Sequence, residues 1–160
     1  MSRAPKPDPK ADLTVLTRLE LYFSLRLVTR TMRRFAALLD HDYDMLVIFL
    51  IVLESCLQAI MAFGGTKADL ETIEKGYLES VSLGLSMLTI AETTGIPRET
   101  VRRKINDLVR HDLIAISEKH RTAYVPISAL AKPDVLEMLS THVVDAEQFV
   151  RAAQFYKSGA

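Results

Sequence analysis

Residues 95–109, GIPRETVRRKINDLV, combine a tight turn with a helix that has one apolar face and one basic face. Val101, Ile105 and Leu108 recur at helical spacing and predict the face that packs inward. Pro97 suits the first position of the helix, because a backbone N–H group at that position would have no partner within the helix and proline has none. The opposite face carries basic side chains and one amide, which would meet water or an anionic partner: Arg98, Arg102, Arg103, Asn106 and Arg110.

The flanking residues predict a second helix before the turn and a β-hairpin after the basic helix. Upstream, 86–94 forms a short helix with Ser86 as its N-cap, and Gly95 supplies the positive φ that a sharp corner requires. Downstream, the apolar runs at 113–117 and 122–127 predict two short strands. Helix, turn, helix and hairpin together predict a winged helix-turn-helix.

In this arrangement the second helix enters the major groove of DNA, and the hairpin reaches a neighbouring groove or the backbone. Arginine can bind a guanine edge through two hydrogen bonds, and asparagine can do the same for adenine. Further basic side chains neutralise phosphates. The sequence therefore predicts a recognition helix at about 97–111 and a basic wing at 118–121.

Two stretches carry a family resemblance, IAETTGIPRETVRRKINDLVRHDLI and SEKHRTAYVPIS. Residues 86–128, about a quarter of the chain, resemble the DNA-binding core of winged-helix bacterial transcription regulators, most closely the MarR-like group. The resemblance implies a homodimer built from N- and C-terminal helices, with a cleft beside them for a small effector. It also implies DNA-facing positions in the recognition helix and at the wing tip: Arg98, Thr100, Arg102, Arg103, Asn106, Lys119, His120 and Arg121.

Two positions depart from the family pattern. Asp112 stands where the family usually has the glycine that ends the recognition helix, and Asp adopts a left-handed backbone at greater cost than glycine. The wing carries Lys119, His120 and Arg121 where many members have an acidic residue before paired arginines.

The charge distribution requires any attraction to nucleic acid to come from a local patch, because the 160-residue chain has a net charge of zero. Residues 98–121 carry seven Lys or Arg and four acidic residues, a net of +3. Residues 1–34 carry eight basic and three acidic residues (+5), whereas 35–79 carry two and eight (−6). The net charge of 98–121 alone is also compatible with a basic helix face that contacts only solvent.

Helical periodicity predicts further helices on both sides of this core. Asp12 would cap a helix to about Leu39, whose arginines share one exposed side and either face solvent or contact phosphates or another subunit: Arg26, Arg30, Arg33 and Arg34. The acidic segment 40–44 predicts a turn with a helix cap in preference to a metal site. A helix at 67–83 would begin the winged domain, and a final helix would run from Pro133 to about Tyr156.

Residues 45–63, MLVIFLIVLESCLQAIMAF, are apolar on nearly every face and approach the length of a membrane span. Glu54 at the centre argues against a bilayer, because an unpartnered carboxylate is costly there. A helix that is apolar all round predicts the buried centre of a helical bundle, with Glu54 beside a basic partner or at a subunit interface. This helix is also a candidate lining for the effector cleft. Cys56 within it is expected to be a small buried hydrophobe, with a redox-sensing thiol as the alternative.

The predicted organisation is mainly helical with a small β-hairpin wing. It comprises a disordered tail, an N-terminal helical region, a winged helix-turn-helix and a C-terminal dimerisation helix: 1–11, 12–66, 67–130 and 131–160. No secretory signal is visible, and a single cysteine fits a reducing cytoplasm.

The chain has no nucleophile elbow, phosphate-binding glycine loop or metal-spaced cluster, so we expect no catalysis, metal or cofactor. The sequence therefore predicts a cytoplasmic homodimer that binds double-stranded DNA and regulates transcription. Two alternatives stay open. One is a winged-helix module that binds a protein partner through the same surface, and the other is a regulator tethered to a membrane by residues 45–63.

Overall fold

The structure, a computed structural model, describes residues 15–64 and 84–158, and its described part is mainly helical. A small three-stranded antiparallel sheet accompanies the helices. The predicted tail, the cap Asp12 and the predicted helix at 67–83 lie outside the described residues. In chain order the described elements are α1 (Val15–Leu38), α2 (Tyr43–Gly64), β1 (Leu85–Ser86), α3 (Met87–Thr94), α4 (Arg98–Arg110), β2 (Ala115–Ile116), β3 (Thr122–Tyr124), α5 (Ile127–Leu130) and α6 (Pro133–Ser158).

The described residues form two compact units, one from 15–32 with 140–158 and the other from 33–64 with 84–139. In the first unit α1 and α6 contact each other through polar side chains. Thr31 contacts His142 across this pair, with 3.0 Å between Oγ1 and Nδ1. Arg30 donates a hydrogen bond of 3.2 Å to Asp145, one turn further along α6. The C-terminal helix therefore has a packing partner within its own chain.

In the second unit, α2 is the helix on which α3, α4 and β3 pack. One broad face of α2 is buried and includes Leu46, Phe49 and Val52, because apolar residues recur there at helical spacing. The other face is exposed and carries Glu54 together with Leu57. Residues 45–63 thus belong to a helix that contributes one buried face to the core and exposes the other.

The position of α2 differs from the predicted domain division. The sequence analysis placed α2 in an N-terminal region that ended at residue 66, whereas contacts place it in the same unit as α3, α4 and the sheet. Glu54 lies on the exposed side of α2, and its expected place beside a basic partner or at a subunit interface stays a prediction. Among the residues that the structure describes, no helix is long and apolar enough to cross a bilayer.

Strand β3 is the centre of the sheet, with the order β1-β3-β2. Leu85 pairs with Ala123 on one side of it, and Ala115 pairs with Tyr124 on the other. The sequence analysis missed β1, because two residues give no period-2 pattern. A glycine is needed just before β1, since a Cβ on Gly84 would lie 2.7 Å from the carbonyl oxygen of Ala123.

The two predicted strands are shorter in the structure than in the sequence analysis. Strand β2 begins at Ala115, because the buried Leu113 and Ile114 before it bend back to the end of α4. Strand β3 ends at Tyr124, and the chain then turns into the short helix α5. The hairpin that joins β2 and β3 is present as predicted.

Candidate nucleic-acid interface

The corner between α3 and α4 follows from local side-chain chemistry. Ser86 caps α3, since its hydroxyl oxygen accepts a hydrogen bond of 3.1 Å from the Thr89 amide. Gly95 ends α3 with a φ of 71°, and its amide donates to the Ala91 carbonyl at 2.9 Å. Both predictions are confirmed. Pro97, expected at the first helical position, is instead the N-cap residue, so α4 begins one residue later at Arg98.

Replacing Gly95 by alanine is expected to lower the free energy of unfolding by about 1 kcal/mol, because an L-residue is strained at positive φ. The strain is purely in the backbone, since a Cβ at this position would meet no atom within 4 Å. Gly95→Asn is the control, because asparagine adopts the left-handed region more readily. Urea unfolding measures both variants. Equal stability of the alanine variant and wild type would contradict the strained corner.

Helix α4 has the two faces that the sequence predicts. Val101, Ile105 and Leu108 are fully buried. On the opposite side, residues that follow one another at successive turns form a solvent-facing line: Glu99, Arg103, Asn106 and Arg110. Arg103 and Asn106 occupy the middle of this line, Arg103 exposed and Asn106 half-buried.

The other predicted contacts of α4 lie around this line. Arg98 is exposed in the first turn, and the exposed Arg102 and half-buried Thr100 lie on opposite flanks of the helix. All five predicted residues of the recognition helix therefore belong to one helix whose buried side is fixed.

Two of the arginines on α4 already have acidic partners. Arg102 donates hydrogen bonds to Glu99, with Nε 3.0 Å from Oε2 and Nη2 2.5 Å from Oε1. This hydrogen bond lowers the pKa of Glu99 below its ordinary 4.5 and raises the pKa of Arg102. Arg110 pairs in the same way with Asp107 at 2.9 Å. Among the described residues, neither Arg98 nor Arg103 forms an ion pair within 4.0 Å, although the charge of Arg103 also helps to lower the pKa of Glu99.

Lys104 points inward and adds no charge to the exposed face. Its side chain is only 14% exposed, and its ammonium group forms an ion pair with Asp42. Asp42 also caps α2, because its Oδ1 accepts a hydrogen bond of 3.0 Å from the Met45 amide. The predicted turn with a helix cap is therefore confirmed. Partial burial alone would raise the pKa of Asp42, but the hydrogen bonds from Lys104 and Met45 outweigh it and lower that pKa below 3.8.

The ion pair predicts a pH dependence of stability. The pKa of Asp42 in the folded protein is lowered from its ordinary 3.8. The stabilisation that the Asp42 carboxylate gives to the folded state is therefore complete above pH 3.8, and it is lost as the pH falls through the lower pKa of the folded protein. Near neutral pH we expect wild type to be more stable than Asp42→Asn in urea. The difference should shrink as the pH falls below 3.8. If the difference in the free energy of unfolding stayed constant over that range, the lowered pKa of Asp42 would be contradicted.

The end of α4 is closed by a left-handed residue. Asp112 has a φ of 52°, the left-handed conformation that the sequence analysis considered at this position. The amide of Leu113 donates to the Leu108 carbonyl at 3.0 Å, and the Asp112 amide donates to the Val109 carbonyl at 3.0 Å. These two bonds form a Schellman motif. Lys132 stabilises the same end by donating to the His111 carbonyl at 2.7 Å.

The loop between β2 and β3 is short and fixed by Ser117, a residue that the sequence analysis did not single out. The Ser117 carbonyl accepts from the Arg121 amide at 2.7 Å, and its hydroxyl accepts from the His120 amide at 3.3 Å. Arg121 adopts a φ of 54°. The loop side chains are exposed, which includes all three predicted wing residues: Lys119, His120 and Arg121.

The sequence analysis also considered a reactive cysteine and a metal site. Cys56 is buried, and its Sγ accepts a hydrogen bond of 3.4 Å from the Val125 amide after β3. Within 15–64 and 84–158, no group of three His, Cys, Asp or Glu side chains is arranged to hold a metal ion.

A cleft of about 100 Å³ lies in the first unit, between α1 and α6. Its lining includes Phe23, Arg26 and Arg30 from α1. No residue of α2 lines this cleft, so the expectation that α2 lines an effector cleft stays a prediction. Two of the four arginines of the predicted stripe on α1 therefore border a cleft.

No protein-family model, curated protein or solved structure matches this chain.

Proposed function

We propose that this protein is a DNA-binding transcription regulator of the winged helix-turn-helix class, with a MarR-like DNA-binding core. The observation that carries the proposal is the solvent face of α4, where Arg103 and Asn106 project from a helix anchored by a fully buried apolar side. The left-handed corner at Gly95 and the short hairpin with an exposed basic loop agree with it.

Each predicted contact has a role that follows from its position. Arg103 and Asn106 read base edges in the major groove, because both can make two hydrogen bonds to one base. Arg98, Thr100 and Arg102 contact phosphates or bases at the edge of the same groove. The wing tip contacts the backbone or the neighbouring groove through Lys119, His120 and Arg121.

The regulator acts in the cytoplasm as a homodimer, so that two recognition helices bind a palindromic site about one DNA turn apart. Exposed apolar side chains of the first unit support this arrangement. On α1, Leu21, Leu25 and Val28 are exposed at helical spacing, and on α6 Val143 and Val150 are exposed seven residues apart. Such a stripe is typical of a helix that packs against another protein surface. A small effector of unknown identity remains part of the proposal.

The test is selection of duplexes from a random-sequence pool, followed by fluorescence anisotropy of the enriched duplex at several salt concentrations. The proposal predicts enrichment of a palindrome, sub-micromolar affinity and a steep fall of affinity with salt. Sedimentation of the complex should give two chains per duplex. Failure to enrich any sequence, with no binding at low salt, would contradict the proposal.

Removing the acidic partner of Arg102 is expected to strengthen DNA binding. Glu99→Gln frees the Arg102 guanidinium and removes a negative charge from the exposed face, so affinity should rise and the salt slope should steepen by about 0.9 for one more phosphate contact. Glu147→Gln is the matched control, because it frees Arg151 from an exposed pair on α6. If the two variants changed the DNA affinity equally, Arg102 would not contact DNA.

One observation favours a second candidate function, a winged-helix module that binds a protein. Glu99 and Asp107 give the exposed side of α4 a mixed charge, which also suits a protein surface with both signs. This candidate predicts no duplex binding at low salt. It also predicts that a protein complex is lost in an Arg98→Ala/Arg103→Ala double variant and is insensitive to added DNA.

A further inference from the structure

Lys104 is a basic residue in the middle of α4 that the structure directs away from the exposed face. It precedes the buried Leu108 by one helical turn and so lies toward the packed side of the helix. Its side chain is 14% exposed, whereas that of Arg102 is 55% exposed. A lysine at this place in a recognition helix would ordinarily be counted among the phosphate contacts.

The partner of Lys104 is the residue that fixes the start of α2. One carboxylate oxygen of Asp42 accepts from the Lys104 ammonium group, and the other accepts from the Met45 amide at 3.0 Å. The main-chain carbonyl of Asp42 accepts from the Leu46 amide at 3.0 Å. Asp42 therefore joins the first turn of α2 to the middle of α4.

The chain around Asp42 is held in an uncommon backbone conformation. Asp40 and His41, which precede it, have φ values of 50° and 62°, a region that non-glycine residues occupy only when the surroundings enforce it. The His41 amide donates to the Ala36 carbonyl at 2.6 Å, and the Asp42 amide donates to the Leu39 carbonyl at 2.9 Å. Ala36 and Leu39 are themselves buried. The carboxylate that holds Lys104 is thus fixed to the core of the second unit.

We propose that Lys104 is a positioning residue of the recognition helix: held by Asp42, it sets the rotation at which α4 presents Arg103 and Asn106 to DNA. This inference rests on the proposed function. The apolar contacts of α4 are non-directional, whereas a charge-assisted hydrogen bond restricts geometry. Paired hydrogen bonds to a base edge require the side chains to be placed within about 0.5 Å.

The experiment compares Lys104→Met, Asp42→Asn and the double variant. Methionine keeps an unbranched apolar stem, and asparagine still caps a helix, so both variants retain the packing around the ion pair. The probes are a duplex enriched by the wild-type protein from a random pool and a scrambled duplex of equal composition. Circular dichroism gives the folded fraction, to which every affinity is normalised.

The inference predicts that each single variant binds the enriched duplex about tenfold more weakly and the scrambled duplex as wild type does. The salt slope should stay at the wild-type value, and the double variant should be no worse than either single one, because both changes break the same contact. A purely structural role would leave the ratio of the two affinities unchanged.

Three results would overturn the inference. A salt slope reduced by about 0.9 in Lys104→Met alone, with Asp42→Asn at the wild-type slope, would make Lys104 a phosphate contact. If both single variants bound with wild-type affinity, Lys104 would have no role in DNA recognition, and the proposed function would still stand. A wild-type protein that binds neither duplex would overturn the proposed function and this inference together.

Discussion

Replacing Arg103 by alanine is expected to weaken binding of the preferred duplex by about 5- to 150-fold, the loss that corresponds to 1–3 kcal/mol for a bidentate base contact. Arg103 lies in the middle of the exposed face of α4 and, among the described residues, has no acidic side chain paired with it. Binding to unrelated duplexes should change much less, so the preference between sequences should relax. Anisotropy titrations with both duplexes measure the effect.

The matched control for this change is Arg151→Ala, which removes one exposed arginine from α6. It changes the net charge by the same amount and should alter the affinity less than twofold, since surface substitutions away from a contact have small effects. An equal loss in the two variants would mean that only the net charge attracts DNA. An equal loss on preferred and unrelated duplexes would make Arg103 a phosphate contact.

Replacing Phe49 by alanine is expected to lower the free energy of unfolding by about 3–5 kcal/mol, as for other buried aromatic residues. Phe49 is fully buried on α2, the helix on which α3 and α4 pack. A loss of this size is a large part of the stability of an ordinary domain, so DNA binding should be lost at a lower temperature as well. Urea and thermal unfolding measure the change.

Leu57→Ala is the control on the same helix, because Leu57 is 44% exposed. Its loss should stay below about 1 kcal/mol, since little apolar area returns to water. If the two variants unfolded alike, α2 would not be the core helix of the second unit. That result would favour the predicted boundary near residue 66.

The parts of the fold that depend on neighbouring residues were predictable from the sequence. The cap at Ser86, the corner at Gly95 and the left-handed Asp112 all follow from the conformational preferences of single residues. The buried side of α4 follows from helical periodicity alone. The pair of Glu99 with Arg102 was also within reach, because residues three apart on a helix are neighbours.

The parts that depend on distant residues were not predictable. Asp42 and Lys104 are 62 positions apart, and nothing in either segment indicates the other. The apolar run at 45–63 indicated burial but not its partners, which are α3, α4 and β3. Strand β1 has only two residues and depends on pairing with β3. For the function, the sequence supplied every proposed DNA contact, whereas the inward Lys104 and its partner Asp42 emerge only from the structure.

The most direct test of the central claim, that α4 reads bases in the major groove, is a cycle between protein and DNA variants. In the enriched duplex, each guanine in turn is replaced by 7-deazaguanine, which lacks the N7 acceptor of the major groove. The account predicts one guanine per half-site whose replacement weakens wild-type binding at least fivefold but leaves Arg103→Ala unaffected, because the same contact is already missing. Either of two results would contradict it: wild-type binding that tolerates replacement at every guanine, or replacements that weaken binding by Arg103→Ala as much as binding by wild type.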